Sequence, residues 1–210
     1  LPPEPIINKA FEGMAKQVQA GRIVSAMEAV RARYDFALQQ AAKLSGQKSR
    51  IDQTGHVIAA CLTAGLSSKG IESITNELQQ RSRTMKAEQL DALALETYKT
   101  ARDIARLGVS PSQVAALIGR ALQHQFSAAQ MQNMRAAFVK NSRSTTPQSL
   151  AASYAAAIEH GSNFGGSDNG QPGKSGESGS GSSGGGSGSG GSGGGSGSGG
   201  SGGGSGPGGS

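Results

Sequence analysis

The apolar positions of this chain recur at helical intervals. Ile7, Phe11, Met14 and Val18 follow one another at steps of four, three and four. Those steps place them on one stripe of a helix, and Ala20-Gly21 breaks the pattern. Ile23, Met27, Val30, Tyr34, Ala37, Ala41 and Leu44 continue at alternating steps of four and three. They predict a second helix over 22–44, long enough to be the central one, with Ser45-Gly46 as its stop. A polar linker over 47–50 comes next. Asp52 then caps a short helix carrying Val57, Ile58, Cys61 and Leu62, closed by Gly65.

Ser67 or Ser68 opens the next helix, with Ile71, Ile74 and Leu78, and 81–86 is a turn. Leu90, Leu93, Thr97, Ala101 and Ile104 mark a fifth helix that ends near Gly108. Ser110-Pro111-Ser112-Gln113 puts serine at the cap, proline at the first helical position and glutamine at the third, a capping-box start. Ser127-Ala128-Ala129-Gln130 repeats the box, and Thr146-Pro147 begins a last helix that Gly161 ends. β-Branched residues are scattered and never alternate with polar ones, so no strand is predicted.

Three junctions share a spacing. Val18 and Ile23, Leu66 and Ile71, and Val109 and Val114 each set two aliphatic residues five apart across a break, and the junctions lie 48 and 43 residues apart. This resembles a degenerate helix-turn-helix repeat of about 45 residues. The expected fold is all-α: seven or eight antiparallel helices, as an irregular bundle or a short helix-turn-helix solenoid. The helical domain covers 1–161. Residues 162–210 form a Gly/Ser-rich low-complexity tail, whose last 27 residues are a nine-residue unit used three times with Pro207 as the single change. Such a composition has nothing to bury and is expected to be disordered.

Composition then narrows the function classes. The chain has 20 Lys+Arg against 14 Asp+Glu. Only Asp168, Lys174 and Glu177 of these fall after 165, which leaves the helical part with 19 basic and 12 acidic residues. Basic residues gather at apparent helix ends, as in Arg81, Arg83 and Lys86. There they complement the helix dipole or form a basic face for nucleic acid, acidic polysaccharide or anionic lipid. The single cysteine, Cys61, permits no intrachain disulfide. No apolar run reaches the roughly 18 residues of a membrane span. The opening Leu-Pro-Pro-Glu-Pro, without methionine, is what signal-peptide removal or a trimmed chain would leave.

Candidate chemistry is sparse. His56 and Cys61 are five apart, on different faces of one helix, and Cys61 reads as a small core residue. His124, Met131 and Met134 offer imidazole and thioether groups of the kind that suit Cu(I), but a methionine pair at helical spacing reads first as core filling. His160 reads as a C-terminal cap. Glu72, Glu77, Glu88, Asp91 and Glu96 read as polar-face residues. Phe36, Tyr98, Phe126 and Phe164 are the candidate surface anchors for a partner, with Arg81, Arg83 and Lys86 as the candidate basic contacts.

No catalytic, metal or cofactor-binding set emerges, and no small-molecule substrate is implied. The chain therefore reads as an exported, periplasmic or extracellular, non-enzymatic helical binding or scaffold protein of the cell envelope. Its partner would be a protein or a second copy, and the tail a flexible spacer. Two alternatives stand beside this. One is a polyanion binder working through the basic helix ends. The other is a self-assembling structural protein that pairs apolar strips such as those on the second helix.

Overall fold

A computed structural model describes residues 1–162 and 164. The glycine-rich segment from 165 onward, and with it most of the expected tail, lies outside the described residues. Among the described residues all regular structure is helical. The elements are α1 (Glu4–Ala15), α2 (Ala20–Ala42), α3 (Lys48–Thr63), α4 (Ser68–Ser82), α5 (Ala87–Arg106), α6 (Pro111–Gln123), α7 (Ala128–Asn141) and α8 (Pro147–Glu159). None of these is long and apolar enough to cross a membrane.

Most of the helix starts are built as the sequence implies. Ser67 Oγ accepts a hydrogen bond from the Gly70 N–H at 3.1 Å. At α7 the box is reciprocal: Ser127 Oγ accepts from Gln130 N at 3.3 Å, and Gln130 Oε1 accepts from Ser127 N at 2.8 Å. At α6 it is half made, because Gln113 Oε1 accepts from the Ser110 hydroxyl and not from its backbone. Thr146 Oγ1 caps α8 through the Ser149 N–H.

Among the described residues, five of the eight helix ends share one device. Gly65, Gly108 and Gly161 sit at φ +103°, +93° and +88°, a region that costs glycine nothing. Gln17 and Gln125 adopt the same left-handed turn at φ +53° and +63°. The residue after each glutamine closes the turn with a long backbone bond: Val18 N–H donates to Gly13 O, and Phe126 N–H donates to Ala121 O.

These turns explain the five-residue junctions. Leu66, Val109 and Phe126 each immediately precede a capping serine, and Ile71, Val114 and Met131 are the fourth residues of the helices that follow. All six are buried. Pairing of the residue before the cap with the fourth helical residue is the hydrophobic staple. Each helix start can generate that spacing locally, so the interval carries no information about a repeat.

Boundaries differ from expectation in two places. α1 ends at Ala15 and the chain turns at Gln17, whereas Gly21 lies inside the first turn of α2. α3 begins at Lys48, so the expected linker is helical and Asp52 is an interior residue instead of a cap. Starting one turn earlier brings Ile51 onto the core.

From α3 on, packing joins alternate helices. α3 lies on α5 and α5 on α7, while α4 lies on α6 and α6 on α8. α5 also touches α4 and α6, which ties the two rows together. The central helix is therefore α5, not α2. It buries Leu90, Leu93, Ala94, Thr97, Tyr98, Ala101 and Ile104, whereas α2 buries Val30, Ala37, Gln40 and Ala41. α2 covers one end of the rows through α3 and α4, and α1 packs principally on α2. At the α2–α3 contact a Cβ on Gly55 would stand 2.7 Å from Leu38 Cδ2, so any other residue there would make the Leu38 side chain shift.

Candidate interaction surface

α1 carries apolar residues on two faces and can bury only one. Ile6, Ala10 and Gly13 are half-buried along one side. A Cβ at Gly13 would stand 2.6 Å from Ile23 Cγ1, so the missing side chain lets α1 close onto α2. Ile7, Phe11 and Met14 point elsewhere and are 47%, 61% and 55% exposed. Val18, in the turn that follows, is 38% exposed, and Val24 on α2 is 53% exposed. No residue of α1 is fully buried.

Beyond the first turn, where Glu4 lies in line with the stripe, the charges are kept off it and tied to one another. Lys9 and Lys16 both hold Glu12, at 2.9 and 2.6 Å. The Lys16 hydrogen bond, followed by that from Lys9, lowers the Glu12 carboxyl to about 2. The positions flanking the stripe are uncharged: Asn8, Ala10, Ala15 and Gln17.

The residues expected to anchor a partner lie elsewhere, and two of them are core residues. Tyr98 is fully buried, its hydroxyl 2.7 Å from Thr75 Oγ1. Phe126 is buried as the staple of α7. Neither ring offers a face to the outside. Phe36 is half-buried against the core. Phe164 folds back past the end of α8, stacked on Tyr154 at 4.9 Å and tilted against Phe126 at 6.0 Å. Asn133 Nδ2 fixes it by donating to Phe164 O at 3.0 Å.

The three basic candidates are also separated by their surroundings. Arg81 Nη1 donates to Leu122 O and to Phe126 O, both at 3.2 Å, and so closes the carbonyl end of α6. Arg83 is exposed and lines an open polar depression of about 550 Å³ with Lys43, Asn76, Gln79, Gln80 and Ser82. Lys86 is the exposed residue that precedes α5, and its N–H donates to Gln89 Oε1.

The remaining titratable groups are engaged structurally. Cys61 is buried and its thiol donates to Tyr98 O at 3.2 Å. Burial pushes that thiol up from 9.0 to about 12, which removes it as a thiolate nucleophile near neutrality. His56 is exposed and packs edge-on to Tyr34 at 5.3 Å. Met131 and Met134 are buried in the core, whereas His124 is exposed at the end of α6. His160 occupies the corresponding end of α8. Glu96 and Asp103 lie two turns apart on one face of α5 and are bridged by Arg135 of α7, at 2.9 and 3.8 Å. Lys99 and Arg102 complete this cluster. Asp91 departs from its expected place on a polar face, being 8% exposed. Among the described residues no three His, Cys, Asp or Glu side chains are grouped to hold a metal ion.

Comparisons with protein families, with curated proteins and with solved structures find no match to this chain.

Proposed function

We propose that this chain is a non-enzymatic helical binding or scaffold protein that works through the outer face of α1. One observation carries the reading. Ile7, Phe11 and Met14 form an apolar stripe on the solvent side of a helix that is otherwise held by α2. Contiguous apolar surface rimmed by polar residues is the usual mark of an association site. Several buried or half-buried polar groups support the same reading, because they are bound to one another: Cys61 to Tyr98, Thr75 to Tyr98, and Arg135 to Glu96 and Asp103. The Gly/Ser-rich sequence that follows is proposed as a spacer on grounds of composition.

The test is quantitative co-purification from native cells with the unaltered chain and with Phe11→Glu. Loss of a stoichiometric partner, or of self-association, in the variant is the expected result. Identical recoveries with neither partner nor self-association remove the reading. An exported setting at the cell envelope belongs to the same proposal. Fractionation of native cells tests it, and recovery from the cytoplasm alone rejects it.

A second reading, polyanion binding, is favoured by one feature: Lys43 and Arg83 share the polar depression between α2 and α4. Binding that weakens steeply with salt and is lost in Lys43→Ala/Arg83→Ala would support it. Salt-insensitive binding would remove it.

A further inference from the structure

We propose that the occupant of the α1 stripe is α1 of a second copy, paired antiparallel about a two-fold axis that passes between Glu12 and Gly13. The proposal rests on the binding reading above and names its partner.

Self-complementarity is the first argument. Within α1 the stripe is Ile7, Phe11 and Met14, and Val18 follows in the left-handed turn beyond the helix end; Phe11 and Met14 lie symmetrically about a midpoint between Glu12 and Gly13. Turning one helix end for end about the midpoint sets Phe11 against Met14 of the other copy, twice. Ile7 of each copy then comes to the turn that carries Val18 of the other. This is the alternating layer pattern of an antiparallel helix pair. Each Phe–Met contact adds a favourable sulfur–ring interaction.

Charge is the second argument. Lys9, Glu12 and Lys16 are bound to one another off the stripe, and the flanking Asn8, Ala10, Ala15 and Gln17 carry none. No like charges are forced together, and small residues permit close approach. The competing antiparallel register sets Ile7 against Phe11, but it also sets the Glu4 carboxylate against Met14 and would strip water from an unpaired charge. Antiparallel pairing also opposes the two helix dipoles.

Area is the third. Four side chains about half exposed, Ile7, Phe11, Met14 and Val18, present on the order of 400 Å² of apolar surface, the size of the largest patch on an ordinary monomer. That is about half of the ~800 Å² per partner of a standard interface, the range of a weak, concentration-dependent dimer. A partner built on one such helix needs nothing beyond this stripe.

Sedimentation and light scattering of the purified full chain over a wide concentration series test the proposal. The expected result is a dimer that Phe11→Glu and, separately, Met14→Glu convert to monomer with an unchanged helical circular dichroism spectrum. A chain that stays monomeric throughout overturns the proposal, as does a dimer that survives both substitutions. Orientation is read by mixing Ile7→Cys with Val18→Cys and adding a flexible thiol cross-linker. Cys61, being buried, does not compete in the native state. Cross-links in the mixture alone support the antiparallel pair. Cross-links within either variant alone, or none in the mixture, overturn it. A monomer that binds neutral lipid vesicles through the stripe assigns it to a membrane surface and also overturns it. If the pure chain is monomeric but native co-purification still loses a protein in Phe11→Glu, the binding reading survives and self-pairing alone has failed.

Discussion

The hydroxyl of Tyr98 on α5 lies 2.7 Å from Oγ1 of Thr75 on α4, and both side chains are fully buried. Thr75 Oγ1 also lies 2.9 Å from Ile71 O, to which it donates. The threonine proton therefore goes to Ile71, and the tyrosine proton goes to the threonine oxygen. The two partners are consequently unequal. Tyr98→Phe leaves Thr75 still bonded and should cost about 1 kcal/mol, whereas Thr75→Val strands a buried phenol and should cost more, about 1–3 kcal/mol. The double variant should lose less than the sum of the two. Urea denaturation measures all three.

Burial holds the Cys61 thiol protonated up to about pH 12, whereas the unfolded thiol ionises near 9. Above pH 9 the unfolded chain releases a proton that the folded chain keeps. Stability should therefore be unaffected by this group below pH 9 and fall as pH rises beyond it, by up to about 1.4 kcal/mol per pH unit. Tyr98, whose phenol is likewise pushed upward by burial, adds to the fall above pH 10. Denaturation at pH 8, 9 and 10 should show the decline, and Cys61→Ala should flatten it between 9 and 10. A thiol reagent should leave the native protein unmodified at pH 8 and label it on unfolding.

Arg81 donates to two carbonyls at the end of α6. Removing it in Arg81→Met should lower stability by about 1.5–3 kcal/mol, the range for bonds that involve a charged donor. Both bonds leave one nitrogen, so Arg81→Lys, whose ammonium carries three donors, should recover part of the loss. Arg83→Ala, at an exposed position, should leave thermal unfolding unchanged. Scanning calorimetry of the three variants separates these outcomes.

Phe164 lies three residues beyond the glycine that ends α8, yet it stacks on Tyr154 and touches Phe126. Phe164→Ala should cost about 1–2 kcal/mol in lost aromatic packing. A chain ending at Gly161 should lose at least the same amount, since it lacks Phe164 as well. Denaturation midpoints compare them directly.

Local signals in the sequence were legible where one residue decides one geometry. Ser67, Ser127, Thr146, Gly65, Gly108 and Gly161 announce starts and stops because capping and the left-handed turn need few neighbours. Gln17 and Gln125 occupy the same turn without the residue type that advertises it, so the end of α1 was misplaced. The Phe126–Met131 junction was missed for that reason and because its first member is aromatic. Phe126 is buried because the connection before the cap of α7 turns it inward, and Tyr98 is buried although it lies off the seam of α5. α5 is packed on several sides, so residues off the seam, four from Ala94 and three from Ala101, are buried as deeply as those on it. The stripe of α1 was read correctly as apolar. Its exposure depends on which helices come to lie over it, and a periodicity contains no such information.

The attachment of α1 to little besides the first half of α2 insulates the two properties of the molecule from each other. A change on the outer stripe should leave the two helical rows intact, because α1 packs principally on α2. Substitutions at Ile7, Phe11 or Met14 therefore probe the proposed contact while the body of the molecule stays as sound as before.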